Sequence, residues 1–187
     1  MKYSNEKIIG LSVKFFQSDI DPRDDDNLTK MVCFHNKYII GDKHDYNRND
    51  YSSWKELKAD IMKNEDVVLI KPLYAYIHGG VTISTEPFSC GWDSGQVGYI
   101  YVTRQQIESH GVDEKEIERI LNAEVNTYKQ YLCGDVYGFM CYKDGKVVDS
   151  CGGFYGRNVQ TNGMLSHMSG EFAALIENVE ELELDDC

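Results

Sequence analysis

The chain has 187 residues, 42% apolar and 27% charged, enough for a packed core and too hydrophobic for wholesale disorder. A net charge of −12 with no Lys/Arg cluster argues against direct binding to nucleic acid, leaving ordinary solubility or docking onto a basic protein surface. Nothing approaches the roughly 18 apolar residues of a membrane span, the first residues lack the apolar run of a secretory leader, and the six cysteines, at 33, 90, 133, 141, 151 and 187, show no CxxC spacing and read as free thiols of a reducing compartment.

In chain order, residues 8–16 are β-branched and aromatic and predict a strand. The acidic run 19–27 contains Pro22 and reads as an exposed loop. Residues 31–40 predict a second strand or hairpin, and 41–51 a polar, turn-rich stretch. Ser53 and Glu56 have capping-box spacing ahead of a helix that places Trp54, Leu57 and Ile61 on one face.

Residues 67–77 predict a strand in which Pro72 implies an edge or a bulge, because proline cannot donate to a ladder. A turn at 78–80 leads into a partner strand at 81–84, and 97–102 predicts another strand. A helix over 113–132 is marked by a second capping box, Asp113 with Glu116. Its apolar stripe is Ile117, Ile120, Leu121, Val125, Tyr128 and Leu132. The pair Asp144-Gly145 between 136–142 and 146–149 predicts a type I′ hairpin. A glycine-rich loop at 150–156 and a last helix at 169–181 follow, and 171–187 carries seven acids and no Lys or Arg. The expected fold is α+β, a single mainly antiparallel sheet with about three packed helices. One domain spans 1–170, with 171–187 as an acidic C-terminal helix and tail whose end frays.

Two segments gather the residue types that carry chemistry. In 87–96, Trp92 can stack on a ligand, Asp93, Ser94 and Gln96 can hydrogen-bond, and Gly91 and Gly95 can admit a close backbone. The same residues also suit a wide connection in which Trp92 plugs the core and Asp93 caps a turn. Cys90 becomes a nucleophile only beside a base, for which His78 is the candidate. In 149–156, Asp149, Ser150, Cys151 and Tyr155 surround glycines that could form an anion-binding nest or a plain tight turn. Neither segment matches a phosphate-loop or dinucleotide-binding glycine pattern. Cys33 and His35 alternate on a predicted strand near Asp42 and His44, but without metal-site spacing, so no metal and no cofactor are assigned.

The segments PFSCGWDSGQVG, YLCGDVYG and DSCGGFYG, within residues 31–156, resemble an uncharacterised family of small acidic bacteriophage and mobile-element proteins. That family carries PFSCPWDSGQVG, YLxGDVYG and DSCWGFYG. Gly91 stands where the family has Pro, and Gly152-Gly153 stand where its Trp is expected, which removes an aromatic from the second segment. The resemblance implies phage origin and a site in the cytoplasm of a bacterial host. With the acidity, it yields the expected function: an accessory protein that binds and inhibits a host or defence protein, of the anti-CRISPR or anti-restriction type, through an acidic surface. The alternative is a small enzyme or nucleotide- or metabolite-binding protein using 87–96 and 149–156 as one pocket.

Overall fold

A computed structural model describes residues 10–182. The beginning of the strand expected at 8–16, the end of the acidic tail and Cys187 lie outside the described residues. The class is α+β, but with two antiparallel sheets, of three and four strands, and five helices, in place of one sheet and about three helices. Sheet membership is set by long-range pairing, which local patterning does not encode: β1 (Leu11–Gln17) pairs with β6 (Val136–Lys143) near the other end of the chain. Contacts divide the chain into two compact units, Met1–Pro22 with Gln130–Cys187, and Arg23–Lys129. Among the described residues no helix is long and apolar enough to cross a membrane.

The first unit has strand order β1-β6-β7. Strand β7 (Lys146–Tyr155) returns from β6 through Asp144 and Gly145, whose φ angles of 50° and 77° are those of the predicted type I′ turn. It does not end at 149 as expected. Pairing with β6 continues through Cys151, Gly152, Phe154 and Tyr155, so the second glycine-rich segment is strand, interrupted by a bulge at Gly153 with φ +85°. Helices α4 (Met164–His167) and α5 (Gly170–Ile176) close the core, in which Phe139, Phe154, Met164, Phe172 and Ile176 are buried. Helix α5 is shorter than predicted because residues 180–182 become extended, Val159 donating to Glu180 O and Leu182 to Arg157 O. Leu182, Phe172 and Ile176, all within the acidic C-terminal segment, belong to this core.

The second unit has strand order β2-β5-β3-β4: Lys30–Cys33, Ser94–Thr103, Val67–Ile77 and Val81–Ser84. Strand β2 is shorter than the run at 31–40, since the chain turns at His35, whose Nδ1 accepts from the Lys37 and Tyr38 amides. Pro72 lies in β3 opposite Tyr99, before β4 begins to pair at Tyr74, so β3 has a free edge there and the missing N–H costs nothing. Gly98 is required by packing: a Cβ there would strike Val32 O on the neighbouring strand.

Helix α1 (Trp54–Asn64) starts at Ser53, whose hydroxyl accepts from Glu56 N, while the Glu56 carboxylate accepts from the Ser52 amide at 2.7 Å. Leu57 and Ile61 face Val32, Tyr99 and Tyr101 in one cluster. Helix α2 (Arg104–His110) was not expected; Thr103 and Gln106 form a full capping box at its start. Helix α3 (Ile117–Leu132) buries Ile117, Leu121, Val125 and Tyr128 of the predicted stripe, and a short 3₁₀ turn precedes it.

Candidate functional site

The hairpin β3–β4 and strand β5 hold the connection 85–93, because Ile77 N donates to Asp93 O at 2.8 Å and the Ser94 hydroxyl bonds Cys90 O. Beneath it, Tyr76 packs against Phe88 at 5.8 Å between ring centroids and stacks with His78 at 6.1 Å. His78 Nδ1 lies 3.3 Å from Asp93 Oδ2. With His78 turned to Asp93, no hydrogen bond joins it to Cys90 among the described residues, so the nucleophile–base pairing has no geometric support.

Trp92 is 97% exposed at the tip of this connection and does not plug the core. A recess of about 450 Å³ beside it is lined by Phe34, His35, Ile77, Trp92, Asp93 and Gln96. Ile39, 94% exposed, lies in the neighbouring 34–40 segment. Gln96 donates to Gly98 O at 3.1 Å. Among the described residues no atom lies within 4 Å of a Cβ built at Gly91 or Gly95, so the space over both glycines is open.

The other candidates sit on a different sheet. Asp149 and Ser150 are exposed on β7 opposite Cys141 and Met140, Cys151 is half-buried opposite Phe139, and the Tyr155 hydroxyl donates to Ile20 O at 3.1 Å. A paired strand presents its N–H groups alternately to its two sides, so this segment is neither the anion nest nor the tight turn considered from the sequence.

The Cys33–His35 pairing also dissolves, as Cys33 is buried at the end of β2 while His35 is exposed beyond it. Burial, followed by the nearby Asp42 charge, pushes the Cys33 thiol up to about 12, which makes it a poor ligand or nucleophile. Among the described residues no group of three or more His, Cys, Asp or Glu is placed to hold a metal ion.

Two features escaped the sequence reading. The first is a buried ion network centred on Arg23, whose side chain is 4% exposed. It grips Asp42 through Nε and Nη2 at 2.7 and 2.8 Å and reaches Glu124 at 3.1 Å. Glu124 also accepts from the Leu28 and Thr29 amides. Burial opposes the guanidinium charge, but the bonds and charge of Asp42, then Glu124, outweigh it and raise its pKa. Arg23 was hidden by the acidic run around it, and its partners are distant in sequence.

The second feature is a cleft of about 600 Å³ between β2, residues 42–51, the end of α1 and β5. Asp42, Asp45, Asp50, Asp60 and Glu65 line it, with Lys30 and Lys43 as its cations and Tyr46, Tyr51 and Tyr101 among its walls. Tyr51 donates to Asp60 Oδ2 at 2.7 Å, which pushes its hydroxyl up to about 12. Burial, then the charge of Glu65, raises the hydroxyls of Tyr46 and Tyr101 as well.

No family model matches the chain, and neither a curated protein nor a solved structure does.

Proposed function

We propose that this chain is a phage- or mobile-element-encoded accessory protein that acts in the host cytoplasm by binding and blocking a host or defence protein, with Trp92 as its anchor. The observation that carries the reading is the near-complete exposure of Trp92 on a connection that is otherwise braced. Exposed tryptophan on a fixed scaffold is the side chain most often found at the energetic centre of protein interfaces. At about 25 cal/mol per Å² over roughly 200 Å², its burial by a partner is worth on the order of 5 kcal/mol before association costs.

The chain's charge of −12 favours a partner with a basic surface. Anti-CRISPR and anti-restriction roles fit this charge, since their targets present basic surfaces to nucleic acid. The alternative of a metabolite pocket built from 87–96 and 149–156 has weaker support, since the second segment is a paired strand of the other sheet.

The test is capture from phage-infected and uninfected host cells with the tagged protein and with Trp92→Ala, at low and high salt. A partner held by the wild type, lost with Trp92→Ala and weakened by salt, is the expected result. Capture of nothing, or capture indifferent to Trp92→Ala, overturns the reading.

A further inference from the structure

The recess beside Trp92 adjoins a second one, of about 490 Å³, with which it shares Phe34, His35 and Asn36. The further walls of this second recess are Tyr38, Ile39, Ile40 and Trp54, and its cations are Lys43 and Arg48. Its volume and its mainly apolar lining, with a few polar groups, are those of small-ligand sites. We propose that it binds an organic anion, a carboxylate carried on an apolar body.

Three observations carry this. The first is the way Arg48 is held. Its guanidinium lies 4.8 Å from the centre of the Trp54 ring, and its Nη1 donates to Tyr51 O at 2.6 Å. Trp54 in turn packs on Phe34, 6.3 Å away between ring centroids. Among the described residues Nε and Nη2 of Arg48 have no partner, and the group has no ion pair. A guanidinium fixed on a ring with donors to spare is already ordered for a ligand, and a carboxylate is the anion whose two oxygens match its fork.

The second is charge. Lys43 is exposed, and among the described residues it too has no ion pair. The one carboxylate lining the recess is Asp42, which both Nε and Nη2 of Arg23 already grip. Asp45 and Asp50 line the neighbouring cleft instead. Two cations thus stand without a counter-ion in a chain where acids outnumber Lys and Arg by 31 to 19, and their local field favours an anion.

The third is the apolar lining. Ile39 is 94% exposed beside Tyr38 and Phe34, so an anion with an apolar body covers it while its charged end meets Arg48. A small inorganic anion would leave Ile39 in water.

Such a carboxylate arrives either on a free small acid or on an acidic side chain of a protein, and titration of the full chain separates the two. The chain has two tryptophans, so in a Trp92→Phe background Trp54, under Arg48, is the sole indole and its emission reads the recess. The probes are phenylacetate, its neutral analogue phenylacetamide, acetate, and a blocked Phe-Glu-Phe tripeptide, at physiological ionic strength. Phenylacetate or the tripeptide should shift Trp54 emission saturably, and phenylacetamide should not. Acetate should bind about tenfold more weakly than phenylacetate, because it covers no apolar wall. Arg48→Gln should weaken binding about tenfold and Lys43→Gln about threefold. Tighter binding of phenylacetate assigns a free acid; tighter binding of the tripeptide assigns a protein side chain.

No saturation with either phenylacetate or the tripeptide overturns the proposal. So does binding that phenylacetamide or acetate matches, or that both variants leave unchanged. Lys43 is exposed, so Lys43→Gln decides the question if circular dichroism shows that Arg48→Gln does not fold. The assay uses neither Trp92 nor a partner protein, so its failure is distinguishable from failure of the Trp92 capture.

Discussion

The two glycine-rich segments read alike in the sequence, yet 85–93 is an open connection and 149–155 is a paired strand. Both contain Ser, Cys, Asp, Gly and two aromatic residues. What separates them is the neighbour. Strand β6 runs alongside 149–155 for its whole length, and the register drops Phe154 into the core beside Phe139, 5.7 Å away between ring centroids. Among the described residues no strand pairs with 85–93, and of its two aromatic residues Phe88 packs on Tyr76 while Trp92 is 97% exposed. Composition marks a segment as special; the presence or absence of a partner strand decides whether it is structure or surface.

The largest expected effect breaks that comparison most directly. Phe154→Ala removes a buried, stacked ring and should destabilise the protein by about 3–5 kcal/mol in urea unfolding. Trp92→Ala should stay within about 0.5 kcal/mol of wild type, because its side chain makes almost no contact with the fold. Equal losses for the two variants would mean that the segments are not different in kind.

Backbone variants sharpen the point at smaller scale. Gly153 sits at a bulge with φ +85°, where an L residue is strained, so Gly153→Ala should cost about 1–2 kcal/mol. Gly91→Ala, in the open segment, should cost less than about 0.5 kcal/mol, because its Cβ enters open space and its φ is not positive. Thermal unfolding of the pair measures the difference.

The strand segment also predicts a pH dependence. Burial, followed by the charge of Asp149 opposite it, pushes the Cys141 thiol up to about 11 from 9.0. A pKa raised in the folded state stabilises fully below the unfolded value and is lost as pH rises through the folded one. Stability should therefore fall between about pH 9 and 11, and Asp149→Asn should make that fall shallower. Unfolding midpoints of both proteins across this range check it, and identical slopes would remove Asp149 as a cause.

Much of this architecture was legible locally. The α3 stripe, the Ser53 cap, the hairpin at 144–145 and the β3–β4 turn follow from spacing and turn chemistry, which act within a few residues. Helix α2 carries a local signal too, the capping-box spacing of Thr103 and Gln106, but the apolar strand before it runs to the cap itself and masks it. The split into two sheets was not legible, since it depends on β1 pairing with β6 across most of the chain. The site residues divide in the same way: Trp92 was marked by its loop, whereas Arg23, Asp42 and Glu124 meet only after folding.

The smallest expected effect isolates the open segment from its scaffold. The His78–Asp93 pair is 73% and 43% exposed at its side chains, so its contribution to stability is at most about 0.5 kcal/mol. Asp93→Ala leaves the backbone oxygen that accepts from Ile77 N, so the connection keeps its brace. Unfolding should be unchanged, while the dissociation rate of any partner captured through Trp92 should rise, because the carboxylate sits at the rim of the same recess. A variant that unfolds early would instead make Asp93 part of the scaffold. One that leaves dissociation untouched would confine the contact surface to the apolar side chains around Trp92.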